Sequence, residues 1–321
     1  MTILWVGLYI SGGIQYNEKN KGVNAMSEFD INEDLEQPFD EAPARPVTRR
    51  KKKKSSILYY AMITICLGVF IFCAIYIADY FSNAIQTENG YGHLSELVHG
   101  AQSGSKDPDN NSFVNGSISM GGKPGIQDES KILEKYQVVY AKNNDLVGWM
   151  NIPGTSVDYP VVQSPGNKDF YLKHDFYGNP NNAGCLYVRE ACDVFKPSDN
   201  VVVYGHHMTY GGMFATLDRY TKKSFWEEHQ TFNFDTIYEE HTYQVIAVFK
   251  TSANLGEGFA YHIFNDANSE EEFNQFIQTV HSLQMYDTGL TAEYGDMLLT
   301  LSTCEETLDN GRFVVVAKRI S

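Results

Sequence analysis

The apolar and polar positions divide the chain into stretches of different character. From Ile57 to Ala78 (ILYYAMITICLGVFIFCAIYIA), 22 residues pass without a charge. At about 1.5 Å of rise per residue, such a helix covers the roughly 30 Å hydrocarbon core of a bilayer. No polar face recurs along it, whereas a long helix packed on a soluble core would carry one. Arg49-Arg50-Lys51-Lys52-Lys53-Lys54 stands directly before the run and Asp79 directly after it. A block of positive charge on one flank holds that flank in the cytoplasm. The run lacks a small-residue cleavage pattern and is long for a signal peptide. Residues 55–81 are therefore expected to be an uncleaved, single-pass anchor in the cell membrane, with a cytoplasmic N-terminus and an extracytoplasmic C-terminal part.

The flanks are polar. Residues 1–54, with Pro38, Pro43 and Pro46, read as a disordered cytoplasmic tail. Ile3 to Ile10 is too short to span, and Met26-Ser27-Glu28-Phe29-Asp30 has the look of a normal start, so translation is expected to begin at Met26. Residues 82–126 include Gly100, Gly104, Gly116, Gly121, Gly122 and Gly125 with many Ser and Asn, and are expected to form a flexible extracytoplasmic stalk.

From Gln127 onward the pattern changes. Ser130 to Lys142 has apolar positions at helical spacing, with Asp128 or Ser130 as a cap. Short apolar runs broken by turn residues follow, among them 147–152, 157–162, 185–188, 201–204, 243–249, 297–303 and 313–317. Strands this short and frequent point to a mainly β barrel or sandwich. One helix interrupts them late. Ser269 and Glu272 form a capping box, and Phe273, Phe276, Ile277 and Val280 share a face. The folded domain is expected to cover residues 127–321.

Charge narrows the partners. The net charge is −15, and residues 82–321 carry it, with sixteen Lys/Arg against thirty-one Asp/Glu. That balance argues against nucleic acid, which requires a basic face. Five cysteines are too few for a disulfide scaffold. Cys66 and Cys73 lie in the apolar run, and Cys185 and Cys192 are either a pair or two separate thiols.

The chemistry gathers at strand ends. Met297 to Thr303 leads straight into Cys304. Glu305 to Gly311 is polar, with Asp309-Asn310-Gly311 as turn residues, and Arg312 opens the next run. A seven-residue loop would close this hairpin and bring Cys304 and Arg312 to one rim. A nearby cation favours the nucleophilic thiolate, and arginine can hold a carbonyl or oxyanion. An ordinary core cysteine beside a surface arginine fits the same spacing. The run Val201 to Tyr204 ends at Gly205-His206-His207, and His206 could work as acid or base near neutral pH. Zinc-ligand spacing is missing around these histidines and around Cys185 and Cys192, so no metal is expected.

Taken together, several motifs in order resemble the sortase family, and its class B in particular. They are Thr300-Leu301-Ser302-Thr303-Cys304, Asn310-Gly311-Arg312-Phe313-Val314-Val315-Val316-Ala317, Tyr204-Gly205-His206-His207-Met208, Val147-Gly148-Trp149, Ile152-Pro153-Gly154-Thr155, Asp158-Tyr159-Pro160-Val161-Val162-Gln163 and Tyr286-Asp287-Thr288-Gly289. The resemblance implies a closed eight-stranded β-barrel with an N-terminal helix and a helix inserted before the cysteine strand. It implies Cys304 as nucleophile, His206 as acid and base, and Arg312 as the group that orients substrate and supports the oxyanion. Ser302 and Thr303 become candidates for the substrate groove. The implied activity is a cofactor-free transpeptidase. It would cleave an Asn-Pro-x-Thr-x-like sorting motif of a secreted protein and join that protein to an amine of peptidoglycan or its lipid-linked precursor. An anchored cysteine hydrolase and a non-catalytic binding or assembly module on the same fold remain the competing readings.

Overall fold

Runs such as Val201-Val202-Val203 and Phe313-Val314-Val315-Val316 contain no polar alternation, as expected of strands covered on both faces. The computed structural model describes residues 55–100 and 128–321, apart from Leu255 and Glu306. The expectations for the cytoplasmic tail, the start at Met26 and the stalk beyond Gly100 lie outside the described residues. The chain divides into an N-terminal unit, residues 1–60, and a unit of residues 61–321, which carries the strands and the candidate site.

Eight strands form the second unit: β1 (Leu146–Asn151), β2 (Asp158–Val162), β3 (Leu186–Val188), β4 (Asn200–Tyr204), β5 (Thr231–Thr236), β6 (Thr242–Ser252), β7 (Leu298–Glu305) and β8 (Gly311–Arg319). They close into a barrel in the order β1-β2-β3-β4-β7-β8-β6-β5, the closed eight-stranded architecture expected. β2–β3 and β4–β7 are parallel and the other neighbours antiparallel. Closure leaves the barrel without a free sheet edge. Leu299, Leu301, Val203, Phe313 and Val315 are fully buried.

Helices cover the barrel. The N-terminal helix starts later than its periodicity implies. A 3-10 turn (Glu129–Lys131) comes first, capped by Asp128 accepting from the Ser130 N–H, and α2 runs over Glu134–Lys142. Helix α3 covers Lys223–Glu228. Helix α4 covers Glu270–Leu283 and buries Phe273, Phe276, Ile277 and Val280 as predicted. Ser269 caps it by accepting from the Glu272 N–H, while the Glu272 carboxylate reaches back to the N–H of Asn268 rather than to that of Ser269.

Helix α1 alters the expected organisation. It runs over Ser55–Gly100, so residues 82–100, at the start of the expected stalk, are helical. Its first half is long and apolar enough to cross a membrane, with Phe70 and Phe72 each 71% exposed. Its second half packs on the barrel through Ala84, Thr87, Tyr91, Leu94 and Val98, all buried. These positions recur every three or four residues, the spacing of one helix face. Polar contacts fix the docking: Ser95 and His99 bond to Asp158, the Tyr91 hydroxyl donates to the Gly184 carbonyl at 2.7 Å, and Tyr159 donates to Glu88 at 3.1 Å. Cys185 and Cys192 are separate buried thiols, each donating to a backbone carbonyl.

Candidate active site

The site is built where β4, β7 and β8 lie side by side. In the parallel pair, Tyr204 stands opposite Ser302, and the Gly205 N–H donates to the Ser302 carbonyl at 3.1 Å. His206 follows at once, level with the end of β7. In the antiparallel pair, Cys304 and Arg312 are direct register partners. The hairpin is thus tighter than expected. Glu305 and Gly311 belong to the strands, so residues 306–310 alone make the turn. The Glu305 carboxylate accepts from the N–H groups of Thr307 and Leu308 and from Lys250, which anchors the turn, and Asn310 takes a left-handed φ of 47°.

Period-2 alternation sorts the three residues before the loop. Cys304 is exposed, although Thr303 and Glu305 beside it are buried. A core thiol is therefore not what the sequence made here. Ser302 shares the face of Cys304 and lies beneath it, 1% exposed, its Oγ 2.6 Å from the Tyr261 hydroxyl. Thr303 does not join them. It points to the opposite face, paired across the strands with Phe313, and its hydroxyl is buried without a partner.

Arg312 reaches back over the turn. Its Nη1 donates to the Gly311 carbonyl at 2.8 Å and to the Asn310 side chain at 3.1 Å. Among the described residues no carboxylate pairs with it, so its charge is available to the groove. Arg189 and Lys168 add to a basic field felt by His262. Burial, reinforced by these three cations, holds His262 below the usual histidine value.

The two adjacent histidines differ. Half-buried His206 has Nε2 at 2.7 Å from the Leu172 carbonyl. A carbonyl can only accept, so Nε2 carries the proton and Nδ1 presents its lone pair. Burial lowers the His206 pKa; the hydrogen bond to Leu172 opposes this and Lys173 adds to it, so the ring is neutral at pH 7. His207 instead bonds to Asp218 at 2.6 Å. Gly205 must be glycine, because a Cβ there would lie 2.4 Å from Leu186 Cδ2 and 2.6 Å from Phe214 Cδ2.

Cys304 on β7 and Arg312 on β8 thus stand at the same end of the sheet as His206, two residues beyond β4, with Ser302 underneath and Thr303 turned away. Tyr261 and the Leu172 carbonyl escaped the reading of the sequence. Both lie in short 3-10 turns, Phe170–Leu172 and Tyr261–Ile263, whose local pattern carries no signal of the strand they will face. Chemically, the arrangement offers a solvent-facing thiol, a neutral imidazole and a fixed cation, the components of acyl transfer.

Comparison with known proteins agrees. The family model described as Sortase domain matches residues 150–320. Sortase B of Staphylococcus aureus is 30% identical over 207 residues, covering 59% of this chain and 82% of that protein. Sortase B of Listeria monocytogenes is 30% identical over 198 residues, covering 61% of this chain and 76% of that protein. The Staphylococcus aureus sortase B–substrate complex aligns with a TM-score of 0.60 at 26% identity, over 75% of this chain and 99% of that one. With the barrel, the late helix and the order of motifs all in agreement, the chain belongs to the sortase family of cysteine transpeptidases, in its class B.

Proposed function

We propose that this protein is anchored by the first half of α1, cleaves an Asn-Pro-x-Thr-x-like sorting motif of a secreted protein at the Thr-x bond, and transfers the new C-terminus to an amine of peptidoglycan or its lipid-linked precursor. In this reading residues 55–81 are the anchor, the N-terminus is cytoplasmic, and residues 127–321 are the extracytoplasmic catalytic domain. The observation that carries it is the exposed thiol of Cys304, with Arg312 as its cross-strand partner on β8 and His206 two residues beyond the end of the neighbouring β4.

His206 takes the Cys304 proton at Nδ1, and Sγ attacks the threonine carbonyl. Arg312 stabilises the oxygen as it gains charge. Collapse breaks the C–N bond. The proton held by His206 passes to the leaving amine, and a thioester remains on Cys304. The acceptor amine then attacks, the C–S bond breaks, and the amine proton returns through His206 to the thiolate. No hydrogen bond joins Cys304 to His206 in the resting arrangement. The imidazole would turn toward the thiol once substrate fills the groove, as catalytic contacts commonly tighten on binding.

The test uses sorting-motif peptides and intact-mass detection. Wild-type protein should gain the acyl mass on Cys304, and Cys304→Ala should gain none. Acylation of the Ala variant at the wild-type rate would remove Cys304 from the role. Adding an amine should yield a ligated peptide. Release of free acid alone, with amine present, would make the protein a hydrolase.

A further inference from the structure

Docking of α1 leaves a cavity of about 840 Å³ between this helix and the connection that precedes β3. It is bounded by residues 76–93 of α1, by residues 173–183, and by Met208 and Tyr210. That volume is typical of a small-molecule site.

The lining has a definite chemistry. Five tyrosines and six carboxamide side chains face it, against a single lysine and a single aspartate. Charges that cancel select neither a strong anion nor a cation. Carboxamides both donate and accept, as hydroxyl and N-acetyl groups require, and tyrosine offers an apolar ring with a polar tip. Some of these groups are already committed: Asn181 donates to Thr87 at 2.8 Å and Asn179 to Asp175 at 3.3 Å. The carboxamides of Gln86, Asn89 and Asn182 have no partner among the described residues. The Tyr210 hydroxyl is buried without a partner.

Gly90 is the second observation. It lies inside α1, where glycine costs a helix about 1 kcal/mol relative to alanine. A Cβ there would meet nothing within 4 Å. Nothing in the packing demands glycine, yet any large side chain would project into the cavity.

Position supplies the third. Tyr76 and Tyr80 bracket the end of the apolar run at Ala78, so one end of the cavity opens at the membrane side of the helix. At the other end, Lys173 adjoins Leu172, whose carbonyl holds His206, and Met208 is two residues beyond His206.

We propose that this cavity binds the saccharide portion of the acceptor, an N-acetylated glycan, and so brings the peptide amine of that acceptor to the His206 side of the acyl-enzyme. This rests on the transpeptidase reading above and adds a site to it. The same saccharide chemistry is offered by a membrane-tethered precursor and by assembled glycan.

The experiment uses the full chain in phosphatidylglycerol nanodiscs, acylated with a sorting peptide. Three acceptors share one amine: a stem peptide, that peptide on an N-acetylated disaccharide, and the disaccharide–peptide on a polyprenyl diphosphate. The saccharide acceptors should have a KM at least about tenfold below that of the bare peptide, and Gly90→Trp should erase most of that advantage. The double variant Gln86→Ala, Asn182→Ala should do the same by removing partners rather than space. A further gain for the lipid-linked acceptor over the free disaccharide–peptide identifies the tethered source, and equality identifies the glycan. Saccharide acceptors no better than the bare peptide, or variants that slow all three alike, overturn the proposal. Calorimetric binding of the free disaccharide to wild type, weakened at least about tenfold in Gly90→Trp, reads the cavity even where Cys304 forms no acyl-enzyme. That last failure would fall on the transpeptidase reading instead.

Discussion

Ser302, Thr303 and Cys304 are consecutive, yet they occupy three environments: a serine bonded under the groove, a threonine sealed against Phe313, and a thiol in solvent. His206 and His207 divide in the same way. One ring is held by the Leu172 carbonyl with Nδ1 presented, and the other is spent on Asp218. Removing His206 should therefore cost acyl transfer at least about a hundredfold in single-turnover assays. His207→Ala should act mainly on stability, by no more than about 1 kcal/mol, because Asp218 is 46% exposed and water screens and replaces its bond to His207. The reverse ranking would move the base to His207. Arg312→Lys keeps the charge but loses the fork that grips Asn310 and the Gly311 carbonyl. A fall in kcat/KM of about tenfold or more, with Tm unchanged, is the expected result.

At the scale of elements, two predictions belong to α1 and α4. Burying Leu94 and Val98 contributes about 1.5–3 kcal/mol for each side chain. Leu94→Asp should thus release the second half of α1 from the barrel. Amide exchange over residues 84–99 would accelerate, while the strands of the barrel keep their protection. Asp158 is the polar end of the same contact. Burial works against its charge, but bonds from Ser95 and Trp149 and the nearby His99 outweigh that and lower its pKa. On α4, Phe273 is fully buried, and Phe273→Ala should cost about 3–5 kcal/mol in chemical denaturation. The docked half of α1 was not read from the sequence, although Ala84, Thr87, Tyr91, Leu94 and Val98 recur at the spacing of one helix face. Glycine and polar residues in the same stretch pointed to a stalk, and the burial of this face comes from contacts with distant segments.

For the whole molecule, the histidines set a pH dependence. Burial lowers the values of His206, His241 and His262 from the ordinary 6.5. Protons therefore bind the unfolded chain first as pH falls, so stability from these groups is present above about 6.5 and declines below it. Thermal unfolding followed from pH 8 to pH 5 should show Tm falling through that window, and a Tm that rises on acidification would contradict it. The sequence by itself determined the apolar span with its basic flank, the strand runs, the α4 face, and Cys304, His206 and Arg312 as candidates, because these rest on local periodicity and on residue chemistry at the ends of elements. Only the tertiary structure decided that β4, β7 and β8 are neighbours, that Thr303 faces away, that Tyr261 and the Leu172 carbonyl meet Ser302 and His206, and that α1 closes a cavity against the barrel. Strand order and the packing of short turns depend on contacts between residues far apart in the chain, and no local pattern encodes which distant surface a segment will meet.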